Sequence, residues 1–130
     1  MDVTPLIRPD RQVIQSYGGG VFRVSGQTYP YAILVFPDRV LPWPSGDAGR
    51  MDDPDMFTDL MPFRDDIDIL LWGTGARMTW LAPAVKAKLN FSGITPDIMD
   101  TGAACRTYNV LLAEGRRVVA ALMPVTPERT

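Results

Sequence analysis

Histidine is absent from this 130-residue chain, and cysteine occurs once, as Cys105. The first absence excludes Ser-His-Asp and Cys-His catalytic arrangements within the chain and removes the commonest zinc ligand. The second excludes an intramolecular disulfide, and a lone thiol suits a reducing compartment. No Lys/Arg stripe is present: 13 basic and 15 acidic residues are spread along the sequence, for a formal net charge of −2. A phosphate-backbone partner is therefore disfavoured, and nucleic-acid binding is not expected. The amino terminus, Met1-Asp2-Val3-Thr4-Pro5, lacks the basic start and apolar run of a signal peptide. The longest apolar runs, Ile67–Trp72 and Val118–Pro124, are far too short to span a bilayer. These absences point to a soluble, cytoplasmic protein that folds without a metal or a disulfide.

What is present fits one globular domain. Apolar residues make up 46% and charged residues 22%, close to globular averages, and the length suffices for a core without staples. Val13–Tyr17 reads as a strand ended by Gly18-Gly19-Gly20. Val21–Val24 and Tyr29–Phe36 read as strands joined by a Ser25-Gly26-Gln27-Thr28 turn, with Pro30 marking an edge or a bulge. Arg39–Trp43 adds a short strand. Residues 44–55, rich in Pro, Gly and Asp, read as a mobile loop. Asp53-Pro54 then starts a helix with Phe57, Leu60 and Met61 on one face and Pro62 limiting its length. Beyond it come strand Ile67–Trp72, helix Pro83–Leu89 with Val85 and Leu89 inward, strand Thr95–Met99, helix Thr101–Glu114 and strand Arg117–Met123. Gly115 stands where a helix C′ glycine belongs. The expected fold is a single α/β domain over residues 1–130, its mixed sheet built from an antiparallel meander followed by βαβαβ.

Open α/β sheets bind ligands beyond the carboxyl ends of their parallel strands. Two loops follow apolar strands in that position, Gly73-Thr74-Gly75 and Asp100-Thr101-Gly102. If those strands are parallel neighbours, the loops sit side by side, and the second opens a helix whose free N–H groups favour an anion. The candidate crevice comprises Gly73, Thr74, Gly75, Asp100, Thr101, Gly102, Arg106 and Asn109. The bland alternative is that the glycines make tight turns, that Asp100 or Thr101 caps the helix, and that Arg106 serves a structural ion pair. Projected at ~100° per residue, Ala104, Tyr108, Leu111 and Leu112 form the apolar face, Cys105 lies at its margin, and Arg106, Asn109 and Ala113 lie opposite. Cys105 is then a packed residue rather than a nucleophile.

Shorter patterns carry less. Gly73-Thr74-Gly75 fails as a dinucleotide fingerprint because Met78 occupies the third small position. Ile98-Met99-Asp100-Thr101-Gly102-Ala103 matches an aspartic-protease pattern, but Cys105–Glu114 has helical periodicity, foreign to that all-β fold. Asp65-Asp66-Ile67-Asp68 reads as a solvated loop rather than a metal site. Asn90-Phe91-Ser92 has the form of a glycosylation acceptor, which means nothing without a secretory signal. Trp43, Trp72 and Trp80 read as core or rim residues, since no basic interleaving accompanies them.

Two longer segments carry a resemblance. Ile69-Leu70-Leu71-Trp72-Gly73-Thr74-Gly75, and Met99 through Leu111 followed by Glu114-Gly115-Arg116-Arg117, resemble a widespread family of small uncharacterised proteins. Its mitochondrial member is an assembly factor of NADH:ubiquinone oxidoreductase (complex I). The resemblance implies a three-layer α/β fold with a mixed sheet, no established catalytic activity and no known cofactor. It implies a protein partner, either respiratory complex I subunits or membrane-insertion machinery. The latter rests on bacterial relatives often encoded near the protein-export membrane complex. The start of the chain close to the domain suggests a bacterial member in the cytoplasm, with peripheral attachment to the inner membrane left open. The alternative function is a small-molecule or anion-binding protein, or an enzyme, using the crevice.

Overall fold

The structure, a computed structural model, describes residues 10–48, 53, 55–91, 93 and 95–126, of which 89–91 by backbone alone. A small antiparallel sheet comes first, made of β1 (Ile14–Gly18), β2 (Val21–Val24) and β3 (Gln27–Tyr29). Ser25 and Gly26 turn between β2 and β3 with φ of +46° and +85°, the left-handed pair whose twist matches a two-residue hairpin. The larger sheet has the order β5-β4-β8-β6-β7, from β4 (Ile33–Val35), β5 (Val40–Pro42), β6 (Ile69–Thr74), β7 (Pro96–Met99) and β8 (Val118–Met123). β8 pairs antiparallel with β4 and parallel with β6, and β6 pairs parallel with β7. The helices are α1 (Pro44–Asp47), α2 (Pro83–Phe91) and α3 (Thr101–Ala113), with a 3-10 helix over Thr58–Asp66.

The period of two along the central strands makes three layers. From β8, Val119, Ala121 and Met123 face one side, where they meet Leu34, Leu70, Trp72, Trp43, Phe57, Leu60 and Val85. Val118, Ala120 and Leu122 face the other side, where they meet Ile33, Val35, Leu71, the small sheet and α3. All six β8 residues are buried, as a strand covered on both faces requires. Burying one Leu- or Phe-sized side chain contributes roughly 1.5–3 kcal/mol, so these two clusters dominate the favourable side of folding.

Several expectations are corrected. The strand over 29–36 is two strands in different sheets. Pro30 has no N–H to continue the ladder of β3, and Ala32 instead accepts from Trp43 N–H at 2.8 Å, which starts the chain along the large sheet. Within the expected loop 44–55, Pro44–Asp47 form α1. A Cβ on Gly46 would enter the Trp43 indole, so only glycine permits that packing. Pro54 lies outside the described residues. Asp53 closes an Asx turn onto Asp55 N–H at 2.9 Å, and the helix after it is 3-10, beginning at Thr58 and continuing past Pro62. A proline inside a 3-10 helix costs it one donor without ending it. Leu89's side chain lies outside the described residues. β6 extends through Gly73 and Thr74, which are strand rather than loop.

Candidate functional site

The parallel pairing of β6 with β7 brings the segments 73–75 and 100–102 together. They close on each other rather than open. Thr101 is fully buried, and its backbone N–H donates to the Gly75 carbonyl at 2.8 Å. Its hydroxyl accepts from Gly75 N–H at 2.8 Å and donates to the Met123 carbonyl at 2.6 Å. One threonine thus ties the end of β6, the end of β8 and the start of α3. Because each of those polar atoms is buried, losing a partner would expose it to a penalty of about 1–3 kcal/mol.

The remaining candidates divide by role. Gly73 lies under Thr101, where a Cβ would sit 2.8 Å from the Thr101 Cα. Thr74 stands at the rim: its hydroxyl donates to the Arg77 carbonyl at 2.6 Å and accepts from Thr79 N–H at 3.0 Å. Asp100 caps α3, its carboxylate accepting from Ala103 N–H at 2.9 Å. Gly102 leaves room for the Tyr17 phenol, with which a Cβ would collide. Arg106 is exposed and donates to that phenol oxygen at 3.3 Å. Asn109 is buried beneath β1, where it accepts from Ile14 N–H at 3.1 Å and donates to the Ile14 carbonyl at 2.8 Å.

That last placement corrects the helical projection. Asn109 belongs to the covered face of α3 because β1 crosses there and needs a side chain able to replace a neighbouring strand. Cys105, Asn109 and Leu112 recur at i, i+4 and i+7, a stripe the sequence carries. Cys105 is fully buried rather than marginal, and burial pushes its thiol up to about 12. Such a thiol is unreactive at neutral pH. Tyr108, also fully buried, donates its hydroxyl at the Gln12 and Phe36 carbonyls, at 2.9 and 3.0 Å, and burial raises its pKa as well.

The open space lies one strand over. Past β6 the chain runs toward the layer of α2; past β8, Val125 accepts from Gly20 N–H at 2.8 Å on the layer of the small sheet. The two exits diverge, which is the geometry that opens a crevice at a switch point. A cleft of about 660 Å³ results, lined by Thr74, Gly75, Thr79, Met123, Pro124 and Thr126, with Gly20, Pro30 and α1 closing its far side. Of the eight sequence candidates, Thr74 and Gly75 line it. Asp47 also lines it, and sequence reasoning missed it because α1 was read as loop. The wall is bare at Gly75, whose φ of +97° a side chain would strain.

Among the described residues, no group of three or more His, Cys, Asp or Glu could hold a metal ion, and no helix is long and apolar enough to cross a membrane. Asp68 is held in the Arg117 fork at 2.8 and 3.1 Å; that hydrogen bonding lowers its pKa. Trp43 and Trp72 are fully buried, whereas Trp80 is 81% exposed.

Fold and site together define a small α/β protein organised around a mixed five-stranded sheet, with a cleft at the carboxyl ends of two parallel strands. The chain belongs to the family described as protein of unknown function DUF498/DUF598, whose model matches residues 14–123. An uncharacterised protein of Rhodobacter capsulatus is 36% identical over 86% of this chain and 84% of its own length. NADH dehydrogenase (ubiquinone) 1 alpha subcomplex assembly factor 3 of Danio rerio is 35% identical over 86% of this chain, and the match spans 64% of that relative. A solution structure from Bordetella pertussis described as an Mth938-like domain superposes with a TM-score of 0.76 at 27% identity, covering 98% of this chain and 95% of that one.

Proposed function

We propose that the protein is a non-catalytic helper that holds or orders a protein partner during assembly of respiratory complex I, at the cytoplasmic surface of the membrane. The observation that carries this reading is the likeness to assembly factor 3 over 86% of this chain. The relative is longer, so its function is brought here for the shared domain alone. An assembly role asks for an outward surface rather than a reactive centre. Trp80 and Met78, 81% and 44% exposed, offer apolar area of the kind that partners cover.

Deleting the gene in its own organism tests the reading. Native gels of the membranes should lose mature complex I, NADH:ubiquinone reductase activity should fall with it, and a plasmid copy should restore both. Normal complex I content in the deletion strain overturns the proposal. A loss spread over many unrelated membrane proteins would instead favour a role beside membrane-protein insertion.

A further inference from the structure

We infer that the cleft between the ends of β6 and β8 binds a cationic group, an amine or guanidine on a short apolar stem, with Asp47 as its counter-charge. The inference goes beyond the helper reading and does not depend on it. Asp47 is the one charged side chain among the described residues lining the cleft. Its Oδ1 is fixed by Ala32 N–H at 2.6 Å, which sets the carboxylate's direction, while no described residue bonds the other oxygen. The hydroxyls of Thr79 and Thr126 add acceptors around the same space.

An acceptor-rich cleft with no cation among its described lining residues selects a ligand that brings donors and positive charge, and it disfavours phosphate or carboxylate. Met123, Pro30 and Pro124 provide apolar wall for a methylene stem. The position agrees with where open α/β sheets take ligands. The Thr101 knot holds Gly75 and Met123 in place from beneath, so the rim is preorganised. A free alkyl amine and the Lys or Arg side chain of a protein partner present the same chemistry.

The experiment is a titration of the ¹⁵N-labelled full chain with n-butylammonium chloride, with n-butanol and sodium chloride as controls. The amides of Gly20, Ala32 and Gly75 should shift and saturate with the ammonium and respond to neither control. Asp47→Asn keeps an acceptor for Ala32 N–H and removes the charge, so binding should weaken about tenfold or more. Thr126→Phe, at an exposed position, should fill the cleft and abolish the shifts in a chain whose remaining spectrum is unchanged. Absence of saturable shifts at these amides, or equal binding by Asp47→Asn, overturns the inference. The source is then read separately. A stoichiometric amine released from the purified protein points to a metabolite, and a carbodiimide cross-link from Asp47 to a partner's lysine points to a protein. Normal complex I in the deletion strain would leave this titration unaffected, so the two proposals fail independently.

Discussion

The two faces of the large sheet are held by different physics. One carries rings: Trp43 stacks on Phe57 with centroids 5.2 Å apart, Phe57 meets Trp72 edge-on at 4.8 Å, and Trp43 meets Trp72 at 6.3 Å. Its cover is partly irregular, a 3-10 helix and a one-turn α1, because large rings fill space without needing a regular partner. The other face carries smaller side chains under a 13-residue helix, and its precision comes from side chains that bond backbone. Asn109 serves Ile14, Tyr108 serves Gln12 and Phe36, and Thr101 serves Gly75 and Met123. Volume stabilises the first face, and directional bonding sets the register of the second.

The comparison breaks first on volume. Trp72→Ala should cost about 3–5 kcal/mol in chemical denaturation, the range for emptying a buried aromatic site. Trp72→Phe should cost clearly less, since the indole N–H of Trp72 has no hydrogen-bond partner among the described residues to lose. A small loss for the alanine variant would mean that the ring cluster collapses freely and that its packing is not specific.

Directional bonding is tested by Asn109→Leu, which keeps bulk and strands the Ile14 N–H and carbonyl. The expected loss is about 2–6 kcal/mol, one unsatisfied penalty for each buried group. Amide shifts should spread through β1 and the small sheet while the aromatic face stays put. A stable variant with an unchanged β1 spectrum would show that ordinary packing, not the amide, seats that sheet.

The smallest effect concerns Cys105. Its proton is held more tightly folded than unfolded, because burial pushes the thiol up to about 12. That contribution is therefore complete below the ordinary thiol value of ~8.5 and is lost as pH rises from there through the folded value. Tyr108 adds a loss of the same sign at higher pH. Denaturation midpoints followed up to about pH 10, where unfolded thiols ionise, should fall less steeply for Cys105→Ala than for the parent chain. Parallel decline of the two would remove the thiol from this account, as would native labelling as fast as in the denatured protein.

How much of this was legible follows from how local each determinant is. α3 reads within one residue of its observed end, because the Asp100 cap, the apolar stripe and Gly115 all lie within the segment. β8 reads almost whole for the same reason. The break at Pro30 was seen as an edge signal, yet the change of sheet depends on pairing with β8, about ninety residues onward. Asn109 was placed on the wrong face because a projection knows the helix but not what crosses it. The condition set for the crevice, that the strands before 73–75 and 100–102 be parallel neighbours, is met. That they would zip through Thr101, leaving the cleft beside β8 and Asp47 on its wall, depends on the layout of exits from the sheet.

The order β5-β4-β8-β6-β7 has a consequence for the way the chain is made. Its central strand is the last in chain order of the eight described strands. Until it is in place, β4 with β5 and β6 with β7 are separate pairs, each exposing an apolar edge that β8 alone joins. Neither core cluster can close while the nascent chain stops short of Val118. Such a sheet keeps two sticky edges exposed until Val118–Met123 is available to join them.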